Sequence, residues 1–164
     1  MRSIRGLALF VAGLVVGSLG MQSLIAQQNR QTGLRVQHIG VRAKDFQESL
    51  DFYTKVLGFK LAYKFPGPEG APTTTELQVN KDTFVELAPP APNQPAGLTH
   101  FAIYTDNADA TVAQFRKAGA TVADAVLRGN TGAKVSGVMD PNGIRIEIIE
   151  LPGDSPMRKA LDAY

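Results

Sequence analysis

The chain carries one pattern twice. Val36-Gln37-His38-Ile39-Gly40-Val41 and Leu98-Thr99-His100-Phe101-Ala102-Ile103 are short alternating stretches with a histidine in third place. Each runs into an acid-containing turn, Lys44-Asp45 or Asp106-Asn107-Ala108-Asp109. Apolar residues then recur at helical spacing. In the first copy they are Phe46, Leu50, Tyr53 and Leu57, with Phe52 and Val56 widening the stripe; in the second they are Val112, Phe115 and Ala118. A glycine, Gly58 or Gly119, follows each stripe, as the end of a helix requires. Three extended segments complete each copy: Lys60–Phe65, Thr73–Val79 and Thr83–Ala88, then Thr121–Arg128, Ala133–Met139 and Ile144–Glu150. Asn80-Lys81-Asp82 and Asp140-Pro141-Asn142-Gly143 are hairpin turns. Repeats decide architecture before any other signal. The expected fold is α+β: two βαβββ modules, residues 34–88 and 98–151, forming a curved eight-stranded mixed sheet around a cleft. The linker 89–97 holds four prolines and reads as extended chain. Loops at 66–72 and 129–132 are placed to carry specificity or cover a pocket.

Residues outside the repeat have different characters. Residues 1–26 open with Arg2 and Arg5 and continue with an uncharged apolar run from Gly6 to Gly20. That order reads as a secretory signal peptide, cut after Ala26 or Gly20 and placing the protein outside the cytosol, with an uncleaved membrane anchor as the other reading. The tail 152–164 contains a short capped helix around Asp154–Ala160. The chain has 17 Lys and Arg against 15 Asp and Glu, and the two leader arginines account for the surplus. The balanced remainder lacks the basic face that a nucleic-acid partner requires. With no cysteine, disulfides, thiolate ligands and thiol catalysis are excluded.

His38 and His100 stand 62 residues apart, and Glu86 and Glu147 nearly the same distance. Each copy therefore has a histidine on its first strand and a glutamate on its last. Side chains alternate across a strand. Ile39 and Val41 oppose His38, Val85 and Leu87 oppose Glu86, Phe101 and Ile103 oppose His100, and Ile144, Ile146 and Ile148 oppose Glu147. The apolar faces should pack beneath the helices. The opposite faces should bring His38, Glu86, His100 and Glu147 together as ligands of one divalent transition metal, with Ni, Co, Zn, Fe or Mn all compatible with two nitrogen and two oxygen donors. Glu150 falls on the isoleucine face, at the strand's exposed end. Arg145, Tyr104 and Phe84 share the ligands' parity. Arg145 is placed either to hold an anionic group of a substrate or to form a strand-end ion pair, and the two aromatics either to line a pocket or to fill it.

At these residues the sequence resembles the vicinal oxygen chelate superfamily, which includes glyoxalase I, methylmalonyl-CoA epimerase, extradiol dioxygenases and the fosfomycin and bleomycin resistance proteins. The resemblance lies in His38-Ile39-Gly40-Val41, the run Ser49 to Phe59, Phe84-Val85-Glu86-Leu87, Thr99-His100-Phe101-Ala102 and Asp140 to Glu147. It implies paired modules around a metal that holds neighbouring oxygens of a small-molecule substrate. The His-Glu-His-Glu set is similar to that of glyoxalase I, which implies a lyase or isomerase working through an enediolate-like intermediate. By that likeness Glu147 is the first choice for the proton-transferring base and Glu86 the second. An extradiol dioxygenase fits less well, because both histidines of the chain are already used. An exported metal-dependent protein that sequesters a small chelating ligand is the alternative outside enzymology. The modules would close either within one chain or between the chains of a homodimer.

Overall fold

The computed structural model describes residues 34–163 apart from residue 130. The signal peptide or anchor read from residues 1–26 lies outside the described residues. Eight strands form one sheet: β1 (Arg35–Arg42), β2 (Lys60–Lys64), β3 (Thr75–Asn80), β4 (Thr83–Ala88), β5 (Gly97–Tyr104), β6 (Val126–Leu127), β7 (Lys134–Met139) and β8 (Arg145–Glu150). Their order across the sheet is β2-β3-β4-β1-β5-β8-β7-β6. The sheet is mixed: β1 pairs parallel with β4 and β5 parallel with β8, while β1 and β5 join the modules antiparallel. This is the expected pair of βαβββ modules set edge to edge within one chain.

Each module's helix covers its own outer strands. Helix α1 (Phe46–Asp51) is capped by the Asp45 carboxylate, which accepts the Glu48 N–H at 2.9 Å. Helix α2 (Ala108–Lys117) is capped by Asn107, and α3 (Pro156–Asp162) by Ser155. Ala43, Leu77, Val85 and Leu87 form a core with Phe46, Leu50 and Tyr53 of the first module. Val112, Val122 and Ile148 form its counterpart with Phe115. The expected apolar faces are therefore partly correct. The exception is the central seam, which no helix among the described residues covers: Val36 is 47% exposed, Ile39 39%, Leu98 80% and Ile144 47%.

Three further departures have local causes. After Asp51 the first helix widens into a π turn over Phe52–Val56. A wider turn rotates successive side chains out of the 3.6-residue phase, so Phe52 and Val56 leave the apolar stripe and are exposed. The segment expected as one strand over Thr121–Arg128 is reduced to the two residues of β6 and an isolated bridge from Val122 to Val138. Glu150 is no idle strand end. Its carboxylate accepts the Ala108 N–H at 2.8 Å at the start of α2, where the helix dipole favours negative charge.

Candidate metal centre

The four adjacent central strands, β4, β1, β5 and β8, each contribute one of the expected ligands: Glu86, His38, His100 and Glu147. The two Nε2 atoms stand 2.8 Å apart, with the imidazole rings at 86°. Glu86 reaches within 4.0 Å of the His38 Nε2 and 3.7 Å of the His100 Nε2. Glu147 Oε2 lies 3.9 and 3.8 Å from the same two atoms. Bonds of ~2.0–2.2 Å to one ion set neighbouring ligand atoms roughly 3–4 Å apart, so the residues fit a metal. Ligand atoms of His38, Glu86 and His100 all lie within 4.8 Å of one another. Glu147 stands as near the two histidines as Glu86 does, and Arg145 holds its other oxygen through Nη2 at 2.7 Å and Nε at 3.2 Å.

The surroundings orient the imidazoles for such a role. The β1–β5 ladder slips one residue between Val36 and His38, and Gln37 and His38 are both buried as a result. The His38 Nδ1–H donates to Gln37 Oε1 at 2.5 Å, which leaves the Nε2 lone pair facing the cluster. The Thr99 hydroxyl donates to His100 Nδ1 at 2.9 Å, so Nε2 of that ring carries the hydrogen shared with His38. A metal would replace this hydrogen. Burial, and then the neighbouring His100, lower the His38 pKa to about 3, so the ring stays neutral. Burial and then the charge of Glu147 push Glu86 up to about 7. A divalent ion would relieve that crowding of negative charge.

Glu76, which the sequence reading passed over, belongs to the same cluster. It pairs with Glu86 across the β3–β4 hairpin, is fully buried, and places Oε1 3.9 Å from His38 Nδ1. Neither of its oxygens meets a protein hydrogen-bond donor among the described residues. Burial, then Glu86, then Glu147 hold it well above the usual carboxylate range. In the second module, Gly137 takes the equivalent place opposite Glu147. The Arg145 guanidinium packs against that glycine, 3.6 Å from where a Cβ would stand.

His38, Glu86 and Glu147 form one wall of a cavity of about 270 Å³. Phe65, Ala133, Val135, Ile149 and Met157 supply apolar surface, and Arg128 and Thr131 come from the loop after β6. Of the residues expected to touch a substrate, Arg145 makes the strand-end ion pair with Glu147. Phe84 is 1% exposed in a core cluster with Ala102, Ile149 and Met157, and Tyr104 packs against that cluster under the Arg35 guanidinium. Neither aromatic lines the cavity that holds the ligands. The tail, in which the sequence reading found no chemistry, provides a wall through Met157 of α3.

The profile of the Glyoxalase/Bleomycin resistance protein/Dioxygenase superfamily matches residues 35–148. Lactoylglutathione lyase of Escherichia coli O157:H7 is 34% identical over 134 residues, covering 71% of this chain and 93% of that protein. The enzyme of the same name from Salmonella typhimurium is 33% identical over 133 residues, with the same shares of each chain covered. Among solved structures, a methylmalonyl-CoA epimerase of Streptomyces coelicolor superposes with a TM-score of 0.62 at 22% identity, covering 73% of this chain and 99% of that one. The epimerase of Mycobacterium tuberculosis superposes with a TM-score of 0.62 at 20% identity, covering 74% and 89%.

Proposed function

The chain belongs to the glyoxalase/bleomycin resistance protein/dioxygenase superfamily, and from that premise we propose that it is a metal-dependent lyase or isomerase of the glyoxalase type. It moves a proton between adjacent carbons of a small substrate bearing vicinal oxygens. One observation carries this reading: matched strands of both modules bring two imidazoles and two carboxylates together, and three of these groups, His38, Glu86 and Glu147, line one cavity. His38, Glu86, His100 and Glu147 would hold the ion. When bound, a divalent metal polarises the vicinal oxygens and stabilises negative charge on them.

The protein's own groups handle the proton. Glu147 is the base: Oε2 faces the histidines while Arg145 anchors Oε1, so the carboxylate has a defined resting place beside the site. It takes the proton from the substrate's C–H, and the electron pair left behind spreads onto the vicinal oxygens. The resulting carboxylic acid returns the proton to the neighbouring carbon. Glu86 is the second candidate. Phe65, Ile149 and Met157 give that exchange apolar surroundings. Glu147→Gln should retain metal yet lose ~10²–10⁴-fold in turnover, with metal content measured in the same preparation. Wild-type turnover in a metal-loaded variant would move the base to Glu86. If small chelators bind tightly and no glyoxal, thioester or diol substrate turns over, the protein is a sequestering one instead.

Export and self-association complete the proposal. The Arg-flanked apolar run of residues 6–20 supports export. The uncovered apolar seam of Val36, Ile39, Leu98 and Ile144 supports a homodimer closed across that face.

A further inference from the structure

Both signs of charge line the cavity. Glu86 and Glu147 stand beside His38 in its wall. Among the described residues lining the cavity, Arg128 is the one cation. Other cations are committed elsewhere: Arg145 to Glu147, Lys134 to Asp109, Arg116 to Asp124 and Arg158 to Asp162. Among the described residues the Arg128 guanidinium has no hydrogen-bond or ion-pair partner, yet its backbone is held firmly. Its N–H donates to the Ala133 carbonyl at 2.7 Å, and its own carbonyl accepts the N–H of Gly132 at 2.7 Å and of Thr131 at 3.3 Å. Gly132, at φ 69°, seats this loop against α3, since a Cβ there would come 3.0 Å from Ser155. The buried Thr131 hydroxyl accepts the Ala133 N–H at 3.2 Å, which leaves its own hydrogen free to be donated.

From this arrangement we infer that Arg128 and Thr131 form a subsite for a carboxylate at the far end of the substrate, so the protein acts on a small organic acid. The inference rests on the chelating site proposed above and adds the class of molecule that fills it. A guanidinium fork matches one carboxylate in two parallel hydrogen bonds, and the threonine hydroxyl adds a third donor. The one cation among the described lining residues draws the anionic tail and sets the orientation. The vicinal oxygens go to the ligands, the carboxylate to Arg128, and the carbons between lie on Phe65, Val135 and Ile149.

Two hydroxamates test this on cobalt-loaded protein. The monohydroxamate of succinic acid and its terminal amide share the same pair of vicinal oxygens and differ only in the charge of the tail. Wild type should bind the acid about tenfold or more tightly than the amide, the gain expected of a charged hydrogen bond. In Arg128→Gln the acid should fall to the amide's level while the amide's affinity and its effect on the cobalt visible spectrum stay unchanged. Arg128→Lys should retain part of the preference. A wild type that does not favour the acid, or an Arg128→Gln that still does, overturns the carboxylate subsite and leaves the chelating site standing. If neither hydroxamate perturbs the cobalt spectrum, the chelating reading itself falls, and the subsite with it.

Discussion

At Gly40 the absence of a side chain makes room for a ligand. Gly40 lies opposite His100 in the β1–β5 ladder, and a Cβ there would stand 2.2 Å from the His100 Cε1 and 2.3 Å from its Nδ1. Gly40→Ala should therefore turn the ring away from His38 and lower metal affinity by ~10–100-fold, the range for lost support of a ligand. Circular dichroism should stay that of the wild type. Undiminished affinity would mean the ring does not need that space. Protonation gives a second residue-level prediction. With its pKa at about 3, the His38 ring is neutral near neutrality, its one proton on Nδ1 and its Nε2 free, and it sets no limit on binding. Glu86 at about 7 is raised, so below that pH it carries a proton that the ion must displace. Metal affinity should thus rise with pH and fall by about tenfold per unit on acidification below pH 7. Titrating the metal-free protein between pH 5.5 and 8 checks the sign, and a flat profile would contradict it. The four ligands were legible from strand parity because each sits among alternating apolar residues. Glu76 was not, since the repeat gives it no counterpart: Gly137 stands at the matching place in the second module. Counting back across the Asn80–Asp82 turn from Glu86 would have reached it.

Strand β4 shows how one element serves both sides of the sheet. Val85 and Leu87 pack beneath α1, Glu86 points to the ligand cluster, and Phe84 fills the inner core against Met157 of α3. Phe84→Ala should cost ~3–5 kcal/mol of stability by opening a cavity beneath the tail helix. Denaturant unfolding measures this, and a loss below about 1 kcal/mol would show that α3 collapses freely into the space. The element boundaries legible in the sequence were those with strong local chemistry, such as the Asp45 cap and Gly58 at φ 74°. The π turn was hidden because Phe52 and Val56 satisfy the ordinary helical pattern equally well. The shortness of β6 was hidden because edge pairing depends on β7, not on the residues of β6 themselves. The fate of Glu150 depended on where the start of α2 lands, a tertiary fact that strand parity does not contain.

For the whole molecule, the repeat made the module plan, the linker and the pairing of ligands legible, but not which stretch of the apolar faces stays uncovered. Among the described residues, the two module helices sit over the outer strands and leave the middle of that face uncovered. There Val36, Ile39, Leu98, Phe101 and Ile144 line a hollow of about 510 Å³. An apolar hollow on a central seam marks an interaction site, and a second copy related by a twofold axis would cover it with the same residues. Native mass spectrometry of protein from its own host tests both proposals at this scale. The expected species is a dimer of chains lacking about the first 26 residues, and Leu98→Asp should dissociate it. A monomer would remove the dimer, and a full-length chain would remove cleavage. The repeat is also broken at one pair of positions, Glu76 in the first module and Gly137 in the second. A planar intermediate held between the modules would meet Glu86, backed by the buried Glu76, to one side and the Arg145-paired Glu147 to the other. Its two faces are therefore not equivalent, so a substrate with no stereocentre of its own should leave this near-symmetric scaffold as a product of single handedness.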